Sequence, residues 1–461
     1  MKKYKVRIEE INITDFMNIR KGTLSLVNTN TERRSSILGI YGQNGSGKTA
    51  LVNAFDILKY LLSGNGVPSS YTQCITCGAS SSAFTFKFIL KDDEENTEQV
   101  IYSFSISAEE PSDTGNRSNR QDRKQIRVFD EVIKTRLYRE KDERIGRIID
   151  TSGKELISPR AKRIMLFGTD DTLLMAAATD AEAYSKSLIF SEKLLSILAT
   201  RAERNHDDAL SFYFSLISSL SAYGSDSLFV INTTNNAFVA MNAQPLNFKL
   251  GKSGGTIAVP VEGPAEIPSD SLILIRKILY NVNIVLRTII PGLTVSLDTF
   301  DKDKEDVTGI TLMSERNGIR IPFSYESEGI KKLVSIINLM ANVMTDDGIT
   351  VVIDELDTSI FEYLLGEILY ILSGNGFGQL IFTAHNLRPL ETLDKNSVAF
   401  TTTDENKRFI RLRNIKGSHN MRDTYYRSIF LGVPYDNLYD RTNNSDIELA
   451  LLEAGGIDDE N

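Results

Sequence analysis

The chain has 461 residues, 41% hydrophobic and 25% charged, and a formal net charge of −9; this acidic balance excludes a protein that coats nucleic acid with its whole surface. Its length calls for roughly two to four modules. Two cysteines exclude a disulfide framework and no apolar run nears the roughly 18 residues of a bilayer span, so the expected setting is the reducing cytoplasm, without membrane contact.

The opening Met1–Glu10 lacks the apolar core of a secretory signal and reads as the start of a strand. Residues 4–14 at first alternate apolar and polar positions, and Phe16–Leu26 reads as a turn and a second strand. Apolar Ile37–Tyr41 leads into Gly42-Gln43-Asn44-Gly45-Ser46-Gly47-Lys48-Thr49, which fits G-x-x-x-x-G-K-[ST] in the required strand–loop–helix setting. The glycines let the backbone approach phosphates without Cβ clashes, and successive N–H groups from Gly42, Asn44, Gly45, Ser46 and Gly47 form an anion cradle at a helix start. Lys48 is expected at the β- and γ-phosphates and the Thr49 hydroxyl at Mg²⁺. The helix runs to about Leu62 and stops at Ser63–Gly66.

Cys74-Ile75-Thr76-Cys77 is a C-x-x-C pair, and the three histidines, His206, His385 and His419, are all distant in sequence. Incidental cysteines are the expectation, with a metal site or a redox dithiol as the alternatives. Residues 83–90 and 99–107 alternate clearly, and Ile126–Phe129 and Arg144–Ile149 continue the pattern, predicting an antiparallel meander on the phosphate-loop core. The polar Glu109–Lys124 stretch reads as a mobile loop.

From Ala161 to Tyr223 the spacing is helical without a sustained heptad seam, which predicts a compact insert. Residues 228–265 read as β- and loop-rich, and a helix from Asp270 to about Ile290 closes the insert. Strands resume at 293–297, 309–313 and 318–323, so the expected division is 1–155, 156–292 and 293–461. Asp301-Lys302-Asp303 reads as a solvated loop rather than a carboxylate metal pair.

Ser327 is a candidate N-cap for an apolar helix through Met344, with Gly329 allowing a phosphate close to the helix start. Ile349–Glu355 is a nearly continuous β-branched run ending in two acids, as in a buried parallel strand that delivers carboxylates at its end. Asp354 can hold Mg²⁺ through water, and Glu355 can polarise the water that attacks a γ-phosphate. Gln379–His385 is another apolar strand, ending in a histidine expected to sense the γ-phosphate.

This order of phosphate loop, long insertion, Ser327-x-Gly329, Asp354-Glu355 strand, Leu356-Asp357 and a strand ending in His385 resembles an ATP-binding-cassette ATPase of the SMC/RecF/OLD branch. The stretch Asp15–Arg20 is similar to the opening of that branch. Asp354–Ser359 resembles its smaller bacterial members, including ATPase subunits of anti-phage systems such as PARIS and Septu; Ile360-Phe361-Glu362 stands where the family often has Leu-His-Pro. The resemblance covers about residues 1–62 and 323–390. It implies an α/β ABC-type P-loop NTPase head with an antiparallel β-meander and a compact helical insert, using ATP and Mg²⁺. It also implies a homo-oligomer built on an ATP-sandwich dimer, in which Ser327 and Gly329 of one subunit cap the nucleotide of another and Asp357 couples the two. Glu355, His385 and Lys48 would carry catalysis.

The function so implied is an oligomeric ATPase sensor or switch that controls a separate nuclease or toxin in anti-phage defence. A DNA-repair ATPase of the RecF/SMC type and an ATP-bound scaffold with little turnover are the alternatives. The segment 407–427 holds Lys407, Arg408, Arg411, Arg413, Lys416, Arg422 and Arg427 against Asp423, with Tyr425 and Tyr426 among them. Such a segment can bind nucleic acid, anchor a protein partner or form a solvated face. Beyond a short helix at Ile447–Leu452, the acidic end is expected to fray.

Overall fold

The computed structural model describes residues 2–26, 36–110, 124–138, 144–205, 207–232, 243–250, 253–300, 307–412, 421–431, 438–439 and 443–455. Most of the expected Glu109–Lys124 loop lies outside the described residues, as do Asp301-Lys302-Asp303, His206, Arg413, Lys416 and His419.

The chain opens with β1 (Lys5–Phe16), β2 (Ile19–Ser25), β3 (Ser36–Tyr41) and α1 (Lys48–Leu62), then β4 (Ser82–Lys91), β5 (Thr97–Glu109), β6 (Gln125–Arg136) and β7 (Ile145–Asp150). Six of these strands form the expected antiparallel sheet, in the order β2-β1-β4-β5-β6-β7. In β1 the alternation breaks after Ile8, where the register with β4 shifts between Ile8 and Glu10. That bulge absorbs one residue, so Val6 and Ile8 before it and Ile11 and Ile13 after it all stay buried. On the inner face Phe86 stacks on Phe104 at 6.2 Å and meets Phe55 of α1 edge-on at 5.8 Å. α1 buries residues around most of its circumference, as a helix held between two sheets must.

Four helices follow where helical spacing predicts them: α2 (Arg160–Phe167), α3 (Thr172–Ala183), α4 (Glu192–Asn205) and α5 (Asp208–Asp226). The Asp207 carboxylate caps α5 by accepting from the N–H groups of Ala209 and Leu210, and α5 packs against α1. Glu131 on β6 ties the segment after α3 to the antiparallel sheet. It is 2% exposed and accepts from the Tyr102 hydroxyl at 2.6 Å, the Ser187 hydroxyl and the Leu188 N–H at 2.7 Å. Burial pushes its carboxyl above the ordinary value against these donors. Glu131→Ala leaves three buried donors unpaired and is expected to cost about 3 kcal/mol. A urea titration checks this, and an unchanged midpoint would show that the donors find other partners.

The remaining elements are β8 (Leu228–Ile231), β9 (Ala243–Leu250), β10 (Ser253–Pro260), β11 (Ala265–Pro268), α6 (Ser269–Ile289), β12 (Leu293–Phe300), β13 (Val307–Arg316), β14 (Ile319–Pro322), α7 (Glu328–Thr345), β15 (Thr350–Ile353), α8 (Glu362–Asn375), β16 (Gln379–Thr383), α9 (Pro389–Thr392), β17 (Val398–Thr401), β18 (Phe409–Ile410), α10 (Met421–Leu431) and α11 (Asn444–Gly455). A second six-stranded sheet has the order β18-β17-β3-β16-β15-β8, parallel except for β18. Its edge strand β8 comes from the stretch read as β- and loop-rich. Leu228-Phe229-Val230-Ile231 is buried throughout and pairs in parallel with β15. The architecture is α/β, with α1, which follows the phosphate loop, between a mostly parallel sheet and an antiparallel meander. Among the described residues, no helix is long and apolar enough to cross a membrane.

Candidate functional site

In the parallel sheet β16 lies between β3 and β15, with Phe382 in register with both Gly39 and Ile353. Because the three strands are parallel, the phosphate loop, Asp354-Glu355 and His385 all leave the sheet at one edge. The strand that ends at His385 thus lies beside the one that delivers Glu355.

Gly47 enters α1 with φ 98°, a left-handed conformation that favours glycine. The Lys48 ammonium donates to the Gly42 carbonyl at 2.7 Å and the Gln43 carbonyl at 2.9 Å, which holds the loop closed on itself. Burial lowers the Lys48 pKa, opposed by the charges of Asp354, Glu355 and Asp357. Ser46 is buried and donates to the Gln43 carbonyl at 2.6 Å, Thr49 is half-buried, and Asn44 and Gly45 are exposed. The Asn18 amide donates to the Gly45 carbonyl, and the Arg408 guanidinium donates to the Asn18 carbonyl and, at 2.7 Å, to that of Thr402. Asn18 and Arg408 thus brace the loop from behind, a role that their sequence positions did not disclose.

Asp354 is 1% exposed; its Oδ1 accepts from the Thr383 hydroxyl at 2.6 Å, and its Oδ2 is buried without a hydrogen-bond partner among the described residues. A buried carboxylate oxygen with spare lone pairs, together with the Thr49 hydroxyl, fits a hard, oxygen-seeking cation such as Mg²⁺. Glu355 has φ 48°, turning the chain sharply at the strand end. Its N–H donates to the Thr383 hydroxyl at 2.7 Å, and its Oε2 accepts from the Thr358 hydroxyl at 3.4 Å. The buried Lys332 ammonium on α7 donates to the Glu355 carbonyl.

Burial also lowers the Lys332 pKa, against the charges of the same three acids that face Lys48. Lys332 therefore ties α7 to the Glu355 turn and faces the same acid cluster as Lys48. Lys332→Met keeps the side-chain length and removes both effects. It is expected to lower ATP turnover about tenfold while nucleotide affinity holds, in line with about 1.4 kcal/mol for a lost hydrogen bond to a charged group. Phosphate release beside nucleotide titration checks this, and equal loss in both would reduce Lys332 to a folding role.

Ser327 caps α7 as expected, accepting from the Ile330 N–H at 3.4 Å. Gly329 has a reason inside the chain beyond phosphate approach: a Cβ there would lie 2.3 Å from the Ser359 carbonyl oxygen. Thus Ser327 and Gly329 share a surface with the Thr358–Ser359 turn, and no described hydrogen bond joins them to the phosphate loop of their own chain. Asp357 faces inward: its Oδ2 accepts from the N–H groups of His385 at 2.9 Å and Asn386 at 2.6 Å. It fixes the backbone of an exposed His385.

The basic segment differs from an open cationic face. Arg408 braces the phosphate loop, Arg411 donates to the carbonyls of Asn396 and Ser25, and Arg422 pairs with Glu391 at 2.6 Å. Tyr425 is buried and stacks on Phe400 at 4.7 Å. Of the described cations between 407 and 427, Lys407 and Arg427 are exposed. Cys74 and Cys77 are free thiols, Cys74 raised in pKa by burial, and no group of three or more His, Cys, Asp or Glu side chains able to hold a metal occurs among the described residues.

Among solved structures, the chain is similar to the SMC head bound to the C-winged helix domain of ScpA, at 13% identity and TM-score 0.44 over 88% of this chain and 98% of that one. It is also similar to the SMC head domain from Thermotoga maritima, at 12% identity and TM-score 0.37 over 88% and 100%. The recombination mediator RecF with ATP gives 12% identity and TM-score 0.36 over 89% and 100%. No curated protein sequence matches the chain. Residues 37–391 match the family model described as "AAA domain, putative AbiEii toxin, Type IV TA system". Since that match spans well over half of the sequence and contains the phosphate loop, the Asp354-Glu355 strand and His385, the chain belongs to this AAA-domain family.

Proposed function

We propose that the chain is an ATP-binding and ATP-hydrolysing switch that works as an ATP-sandwich oligomer and controls a separate nuclease or toxin in anti-phage defence. The observation that carries the ATP chemistry is the convergence of Lys48, Asp354, Glu355 and His385 at one edge of the parallel sheet. The N–H groups of Gly42 to Thr49 cradle the phosphates, and Lys48 exchanges two loop carbonyls for them. Glu355 takes a proton from the attacking water, while His385, held through its N–H by Asp357, faces the γ-phosphate. Mg²⁺, when bound through Thr49 and Asp354, supplies neutralisation of phosphate charge.

The oligomer reading is supported by the surface that carries Ser327 and Gly329. Tyr325 is 78% and Phe361 71% exposed, one two residues before Ser327 and the other two after Ser359. Exposed rings beside a glycine-lined helix start suit a face that meets another subunit. In this reading 1–155 and 293–461 form the nucleotide head, and 156–292 is inserted between them and lends β8. The family description attaches a toxin–antitoxin setting to the matched AAA domain itself, as a putative toxin.

The test is phage challenge of cells carrying the chain with its neighbouring reading frames, beside purification of the complex. Protection should vanish in Lys48→Ala and Glu355→Gln, and a nuclease or toxin should co-purify. Turnover stimulated by duplex DNA through Lys407 and Arg427, with no protection, would move the chain to DNA repair.

A further inference from the structure

Strand β16 is apolar through Leu380, Ile381 and Phe382 and then presents a hydroxyl, Thr383, which is 1% exposed. Regular pairing of β15 with β16 ends at Ile353 and Phe382, so Thr383 faces the residues that leave β15 for the site. Its hydroxyl donates to Oδ1 of Asp354 at 2.6 Å and accepts from the Glu355 N–H at 2.7 Å, and its carbonyl accepts from the Leu356 N–H at 3.0 Å. Thr383 thus holds Asp354, Glu355 and Leu356 in succession.

A hydroxyl carries a single proton. Set between an ionised carboxylate, which only accepts, and an N–H, which only donates, the Thr383 proton can point only toward Asp354. That bond fixes the plane of the carboxylate and leaves Oδ2, buried and without a hydrogen-bond partner among the described residues, as the oxygen for a cation. The same Thr383 Oγ pins the amide of Glu355, whose φ of 48° is a conformation that a non-glycine residue keeps only where its surroundings impose it. One oxygen therefore sets both the carboxylate that meets the cation and the turn that aims the neighbouring acid.

We infer that Thr383 is a positioning residue that couples cation binding at Asp354 to the placement of Glu355. This role rests on the ATPase reading of the site and deepens it, because Thr383 acts through the two acids rather than on nucleotide or water. A shift of the Asp354 carboxylate when a cation binds passes to the Glu355 amide through the Thr383 oxygen.

Thr383→Val keeps the side-chain shape and the strand preference and removes the hydroxyl, whereas Thr383→Ser keeps the hydroxyl. Mn²⁺ titration of the full chain with a non-hydrolysable ATP analogue, followed by electron paramagnetic resonance, should show cation affinity about 10–100-fold weaker in Thr383→Val, the usual loss when the partner of a metal-holding group is removed. Analogue affinity in EDTA should be unchanged. Phosphate release by Thr383→Val should stay about tenfold below wild type even at saturating Mn²⁺, because the Glu355 amide has also lost its acceptor. Thr383→Ser should restore cation affinity and turnover together. Thr383→Cys, a weaker donor, should fall between them, and it carries the comparison where the valine protein does not fold. Unchanged Mn²⁺ affinity in Thr383→Val, full turnover regained at saturating Mn²⁺, or a folded Thr383→Ser as impaired as the valine protein overturns the coupling while leaving the ATPase reading in place. A wild type that neither binds the analogue nor releases phosphate overturns that reading, and this role with it.

Discussion

Glu355→Gln is expected to cut ATP turnover by about 10²–10⁴-fold, the usual contribution of a positioned general base, while nucleotide binding persists. The backbone contacts that shape the turn, the N–H to Thr383 at 2.7 Å and the carbonyl to Lys332, do not involve the carboxylate. Glutamine also retains an oxygen for the Thr358 hydroxyl, so the φ 48° turn should survive. What is lost is the ability to accept a proton. With hydrolysis blocked and binding intact, ATP-loaded protein should accumulate in a larger assembly. Phosphate release checks the first part and mass photometry with ATP the second. Turnover within threefold of wild type would remove Glu355 from catalysis.

Lys48→Ala should abolish measurable ATP binding, lowering affinity by about 10²–10⁴-fold through the loss of charge-assisted hydrogen bonds worth roughly 3–6 kcal/mol together. It should also loosen the free protein. The Lys48 ammonium holds the loop carbonyls of Gly42 and Gln43 and faces Asp354, Glu355 and Asp357, so its loss leaves three carboxylates balanced by Lys332 alone among the lysines that respond to them. Nucleotide titration measures the first effect and amide exchange over residues 42–49 the second. Affinity within tenfold of wild type would contradict the assigned role.

What was legible in the sequence was what lies contiguously along it. The phosphate loop, the strand ending in Asp354-Glu355 and the meander declare themselves through spacing that one strand, loop or helix imposes. The Ser327 cap is equally local. The braces behind the site are not, because they join distant parts of the chain: Arg408 reaches Asn18 across 390 residues, and Thr383 reaches Asp354 across 29. The segment 407–427 shows the same limit, since arginine density reads alike whether guanidiniums face solvent or cap carbonyls inside the protein. β8 fell inside a stretch read as β- and loop-rich, but Leu228–Ile231 is too short to disclose its place in the parallel sheet, which comes from pairing with β15. Gly329 was read toward a ligand, whereas the contact that forbids a Cβ there comes from Ser359.

The central claim is that the nucleotide is shared between the phosphate loop of one subunit and Ser327 of another. Mixing Lys48→Ala protein with Ser327→Arg protein tests it most directly, with phosphate release as the readout. Each parent should be inactive, and the mixture should regain turnover, because one of the two interfaces in a mixed dimer then pairs an intact phosphate loop with an intact Ser327. If the mixture stays as inactive as its parents while mixed dimers form, or if Ser327→Arg alone turns over ATP at the wild-type rate, the shared site is wrong and each chain works by itself.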